Sequence, residues 1–174
     1  NTQSFIRFLY SMNIHLLVVH FPIVCLVLYS LLEIISVFKP SWKAKLQFTK
    51  IFLLVIWVVG AFMAVQTWEI ARDLIGKTNV IEAHETYADL AYKLYAIILF
   101  LYIITWEQVV VRVKNNLIIK IVSFIDKMHK YGIVAILSII ALVFLTITGA
   151  LGAAISHGPD TDPVVKFVYD LIIN

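Results

Sequence analysis

Cysteine is almost absent from this chain: Cys25, inside the first apolar run, is the only one in 174 residues. No intrachain disulfide, cysteine-built zinc site, iron–sulfur cluster or CxxCH heme attachment can be assembled from it. A small buried hydrophobe is its reading. Charge is scarce as well, at 14% of residues, where a soluble domain carries about a quarter. That excludes an ordinary water-soluble globule. A P-loop, GxGxxG, H-E-x-x-H and an ordered Ser/His/Asp set are all missing, so no familiar catalytic constellation is present. The net charge of +3 is distributed by topology and gives no reason to invoke nucleic acid.

What is present is apolar sequence, 61% of the chain. A hydrocarbon core of about 30 Å needs roughly 20 apolar residues as helix. Four stretches supply them, at about residues 14–38, 51–68, 88–111 and 131–155. Lys39-Pro40 closes the first; Asp89 and Lys93 intrude on the first turns of the third. The first twelve residues do not read as a signal peptide, because the apolar run continues past Phe21 without a small-residue cleavage site. The expected fold is all-α, an integral-membrane four-helix up-down bundle forming one domain over residues 1–174. Two amphipathic segments accompany it. Residues 117–128 suit an interfacial helix or an extension of the fourth span. Residues 163–174 place Val164, Val168, Leu171 and Ile172 at helical spacing, for the membrane surface or a partner.

Alternating spans put the N-terminus, the loop after Trp68 and the C-terminal tail on one face. The other face carries the 39–50 and 112–130 loops with nine basic residues: Lys39, Lys43, Lys45, Lys50, Arg112, Lys114, Lys120, Lys127 and Lys130. The first face has five: Arg7, Arg72, Lys77, Lys93 and Lys166. The positive-inside rule then places both termini outside, in the periplasm of a bacterial inner membrane. Glu33 and Glu107 read as interfacial, and His129 as a solvated loop residue on the basic side.

Four of the five histidines, His15, His20, His84 and His157, fall at the outer end of this bundle. They come from three spans, and imidazoles converging from several helices suit a heme iron or a transition metal. Ionisable groups in or beside a membrane are costly and usually functional. His15 and His20 lie about 7.5 Å apart along the axis and about 140° apart around it, so they do not serve one coordination position. Pro22 is expected to loosen the helix beside His20. Gly149, Ala153 and His157 recur every four residues on the fourth span, and His84, Ala88 and Ala91 make a similar face on the third. A porphyrin beside an axial histidine needs such bare stretches, though small-residue stripes also mark plain helix packing. Trp68, Tyr87, Tyr92, Tyr95, Gln66 and Asn13 surround the same end, and Glu85, Asp89 and Lys93 suggest an ion-paired strip. Glu69, Asp73 and Glu85 are candidates to orient an imidazole.

His15-Leu-Leu-Val-Val-His20-Phe-Pro22 resembles the opening motif, His-Pro-x-x-Val-His-Phe-Pro, of a bacterial four-helix inner-membrane family of unknown function. The resemblance continues with His84 opening the third span and with Gly149-Ala-Leu-Gly152-Ala-Ala-Ile-Ser-His157-Gly158 closing the fourth. Leu16, Ala88 and Ala153 stand where the family usually has Pro, Asn and Gly. Such domains occur fused to Rieske or cytochrome c domains, which implies work near periplasmic electron transfer.

Three readings follow. The first is a membrane subunit binding one or two hemes b through His15, His20, His84 and His157. It passes electrons between a quinol or membrane partner and a periplasmic cytochrome or Rieske protein, and is a carrier rather than a stand-alone enzyme. The second is a Zn or Cu site made of histidines and the outer carboxylates. The third is a non-catalytic assembly subunit of a larger membrane complex, whose histidines only hydrogen-bond between helices.

Overall fold

The computed structural model describes residues 2–105, 116–130 and 132–174, and among them every regular element is helical. Helix α1 is Thr2–Phe38, α2 Lys43–Ile75, α3 Asn79–Ile104, α4 Asn116–Lys130, α5 Ile133–His157 and α6 Pro163–Ile173, with a 3-10 turn at Pro40–Trp42. Four are long and apolar enough to cross a membrane, over His15–Phe38, Pro40–Asp73, Asn79–Ile104 and Ile133–His157. Residues 106–111 of the expected third span, Tyr131 at the start of the fourth, and Glu107, Arg112 and Lys114 lie outside the described residues.

Helix ends follow local chemistry. Lys39-Pro40 stops α1, because a residue before proline avoids the helical region. Gly76 at φ 85° ends α2, in the left-handed conformation that only glycine adopts at little cost. Thr78 caps α3 by accepting the Ile81 amide at 3.4 Å. The α3 helix therefore starts nine residues before the expected position. Asp89 and Lys93 do not delay it, since they are exposed and pair with each other at 2.6 Å. Asp162 caps α6, accepting from the amides of Val164 and Val165 at 2.8 and 3.0 Å, with Pro163 at the first helical position.

Two antiparallel hairpins make the bundle. Helix α1 packs along α2 and α3 along α5, with α1 against α5 joining them, while α2 meets α3 mainly through large side chains such as Trp57 and Trp68. Pro22 lies inside an uninterrupted α1, where its ring meets Gly60. A Cβ at Gly60 would sit 3.1 Å from the Pro22 ring, so glycine permits the closest α1–α2 approach. Leu26, Tyr29, Leu54, Trp57, Tyr95, Ile98 and Ala141 form the shared core. Large apolar side chains such as Phe21, Phe52, Phe62 and Phe100 are exposed on the flanks, the arrangement expected of a lipid-facing surface.

The expected amphipathic helices are both present. Helix α4 buries Val122 and Ile125 and exposes Ile118, Ile121 and Phe124 together with Lys120 and Lys127. It is separate from α5, which begins after Gly132 at φ 73°. Helix α6 docks on its own chain: Val165 and Val168 pack with Ala150, Leu151 and Ala154 of α5 and with Val80 and Ala83 of α3. Val164, Phe167 and Leu171 remain exposed.

Candidate functional site

Two of the four expected histidines are brought together at the end of the bundle that carries the α2–α3 connection. His15 of α1 is 8% exposed. Its ring centroid is 5.2 Å from that of Trp68 in α2, and the other neighbour of that indole is His84 of α3, at 4.8 Å. One indole thus touches two imidazoles from different helices. His20 and His157 are exposed and lie outside this cluster. The Nδ1 of His20 faces the Leu16 carbonyl within its own helix. The angular separation of His15 and His20 accounts for their different fates: one faces α2, the other faces away.

Hydrogen bonding fixes the rings. His84 Nδ1 lies 3.0 Å from the Thr148 carbonyl of α5. A carbonyl only accepts, so Nδ1 carries the proton. His15 Nδ1 lies 3.0 Å from Thr67 Oγ1. The Thr67 hydroxyl is directed at the Met63 and Ala64 carbonyls, 3.1 and 3.0 Å away, which leaves its lone pair to accept from His15. Both rings are therefore held through Nδ1, and Nε2 is the nitrogen presented to any ligand. Metal-binding histidines are oriented in this way, with the remote N–H donated to an oxygen acceptor.

The fourth span meets His84 through a different face from the expected one. A Cβ on Gly152 would lie 3.2 Å from His84 Cε1, whereas one on Gly149 would meet nothing within 4 Å. Thr148 and Gly152 are one turn apart, so the same strip of α5 gives His84 its acceptor and the room to reach it. The Gly149–Ala153–His157 stripe does not.

None of the proposed orienting carboxylates holds an imidazole among the described residues. Glu85 Oε1 instead accepts the Trp68 Nε1–H at 2.8 Å and lies 3.4 Å from Arg72. Asp73 is 3.9 Å from Arg72. The expected ion-paired strip is thus split: Asp89 and Lys93 pair, and Glu85 turns to the indole. Nor do three His, Cys, Asp or Glu side chains gather as a metal-binding group among the described residues. The sequence reading missed Trp68 as the link between the rings, because its place at a membrane boundary already accounted for it. It also missed the Thr67 and Thr148 acceptors, which follow only from the helix pairing.

A second polar cluster lies at the lysine-rich end. Glu33, expected at an interface, is 3% exposed, and Lys50 is fully buried. Lys50 Nζ donates to Glu33 Oε2 at 2.9 Å and to Ser36 Oγ at 3.2 Å, and the Tyr102 hydroxyl also donates to Glu33. Tyr29 meets the Tyr95 and Tyr102 rings edge-on at 6.1 Å each, and Ser30 bonds Tyr95 at 2.9 Å. His129 is not a solvated loop residue. It packs on Tyr102 with ring centroids 4.7 Å apart, and burial lowers its pKa to about 4. The missed signal was a carboxylate inside Leu31-Leu32-Glu33-Ile34-Ile35, which in a spanning segment calls for a buried partner.

No curated protein and no solved structure matches the chain. A family model described as "Predicted membrane protein (DUF2231)" matches residues 11–159. That stretch holds all four spanning helices and both paired histidines, and the chain belongs to this family of predicted membrane proteins.

Proposed function

We propose that this chain is a heme b-binding membrane subunit that carries electrons near the face bearing its termini. The observation that carries the reading is the matched state of His15 and His84. Each comes from a different helix, each is tied through Nδ1 to an oxygen, and each keeps Nε2 for a ligand. A b-type heme needs two such nitrogens and no covalent motif. The geometry favours one heme over two, because His20 and His157 lie outside the cluster. When bound, the heme supplies reversible one-electron chemistry. The chain would supply the ligand pair and the Thr67 and Thr148 acceptors that orient it. Loop lysines favour placing this end in the periplasm of a bacterial inner membrane. A quinol in the bilayer and a periplasmic cytochrome or Rieske protein are the corresponding partners.

One observation favours a second reading, that of an assembly subunit. Trp68 packs against both imidazoles, so a planar macrocycle bound by the two rings would have to share that space with the indole. Interhelical ring and hydrogen-bond contacts of this kind are also ordinary membrane packing. A dithionite-reduced minus oxidised spectrum of protein purified gently from its native membrane separates the two. The heme reading expects a b-type α band and about one heme per chain by pyridine hemochrome. A featureless spectrum from intact, monodisperse protein overturns it in favour of the assembly role.

A further inference from the structure

At the lysine-rich end, a half-open pocket of about 210 Å³ is lined by Lys43 and Gln47 of α2, Tyr102 of α3, and Asp126 and His129 of α4, with Lys50 behind them. At about 30 Å³ per water it has room for roughly seven waters, or for one small polar headgroup. Its polar groups fall into two kinds. Lys50 and Tyr102 are spent on Glu33. Lys43 and Asp126 line the same space yet appear in none of the ion pairs or hydrogen bonds of the described residues. Both ring nitrogens of His129 are buried without a hydrogen-bond partner. Buried polar groups are nearly always paired, so the two unpartnered nitrogens of His129, beside a half-buried Lys43 and a solvent-exposed Asp126 that line the same cavity, point to something that engages them.

The ligand's chemistry follows from theirs. One ammonium and one carboxylate that feel each other's charge without a direct bond, and one neutral imidazole, which offers a donor and an acceptor, sum to no net charge. A simple anion would meet Asp126 and a simple cation would meet Lys43. A molecule with an anionic and a cationic, N–H-bearing end satisfies both. The pocket lies where α2 and α3 meet α4, whose exposed Ile118, Ile121 and Phe124 beside Lys120 and Lys127 suit the headgroup layer of a membrane. Basic pockets between spanning helices on the lysine-rich side bind the phosphate of anionic headgroups, and here the Asp126 carboxylate adds a place for a headgroup's cation. We infer that this pocket binds the zwitterionic phosphoethanolamine headgroup of a membrane lipid, with phosphate toward Lys43 and His129 and ammonium toward Asp126. The site is independent of the His15–His84 pair. Eighteen helical residues, about 27 Å, separate His15 from Glu33 along α1.

The test is native mass spectrometry of the delipidated full chain offered phosphatidylethanolamine, phosphatidylcholine and phosphatidylglycerol at equal concentration. Phosphatidylethanolamine is expected to be retained most, because choline has no N–H for Asp126 and glycerol has no cation. Lys43→Gln and Asp126→Asn should each lower its retention about tenfold, the loss expected for one charge-assisted hydrogen bond. Lys45→Gln, outside the pocket, should leave it unchanged. Neither Lys43 nor Asp126 makes an internal bond, so both variants should fold, and the lipid preference of the unaltered chain is an independent readout. Equal retention of the three lipids, or full retention by Asp126→Asn, overturns the inference. So does displacement of the lipid by millimolar free phosphoethanolamine, which would make a soluble zwitterion the ligand.

Discussion

The two ends of the bundle use buried polar groups in opposite ways. At the lysine-rich end, Glu33, Lys50, Ser36 and Tyr102 are bonded to one another. At the other end, His15 and His84 are each bonded through Nδ1, and both rings pack against the same indole. The bonds within this quartet lock helices together, so a ligand at this end has Lys43, Asp126 and His129 beside the quartet to bind, not the quartet itself. A ring held on one side only is oriented for use. The contrast separates a structural cluster from a candidate site where residue types alone would rank Glu33 and Lys50 first.

The largest expected effect breaks the saturated end. Lys50→Met or Glu33→Leu alone should cost about 3–5 kcal/mol by stranding a buried charge, whereas the double change should recover most of that. Thermal unfolding in detergent measures it, and a double variant as unstable as the singles would show that more than this pair is at stake. His129 gives a smaller, pH-linked effect. Burial holds its pKa near 4, below the ordinary value of about 6.5, so the unfolded chain binds the extra proton first. Stability should therefore fall by about 2 kcal/mol as pH drops from 6.5 to 4. His129→Gln should remove that part of the pH dependence.

At the histidine end the contrast is between neighbouring glycines. Gly152→Ala presses a methyl against His84, 3.2 Å away, and should cost about 1 kcal/mol by overpacking. Any heme absorbance should fall with it. Gly149→Ala meets open space and should be neutral or stabilising by up to about 0.5–1 kcal/mol, since alanine loses less entropy in a helix. Equal effects at the two positions would sink the assignment of the Thr148–Gly152 strip to His84. The smallest effect is expected at Glu85→Gln, which keeps an acceptor for Trp68 and loses only a part-exposed pairing with Arg72, worth about 0.5 kcal/mol.

Most of the fold was legible in the sequence because membrane spans are constrained by length and polarity alone. The four helices and the two amphipathic segments followed from apolar runs and up-down threading. Which histidines meet was only half legible. Helical geometry showed that His15 and His20 diverge, but not which of them faces α2. That depends on the Pro22–Gly60 contact, which sets how α1 lies on α2. Periodicity likewise showed small residues on α5 without showing that the Thr148–Gly152 strip, rather than Gly149–Ala153, turns toward α3. Lys50 and His129 were misplaced for a related reason. Their sequence neighbours are loop lysines, and only tertiary packing folds them under Tyr102.

The most direct measurement of the central claim is heme content per chain, by pyridine hemochrome, across four single variants purified alike. With the heme held by His15 and His84, His15→Ala and His84→Ala should each abolish the b-type signal, while His20→Ala and His157→Ala should keep it. Loss of heme in the His20 or His157 variant, with His15 and His84 dispensable, would contradict that assignment.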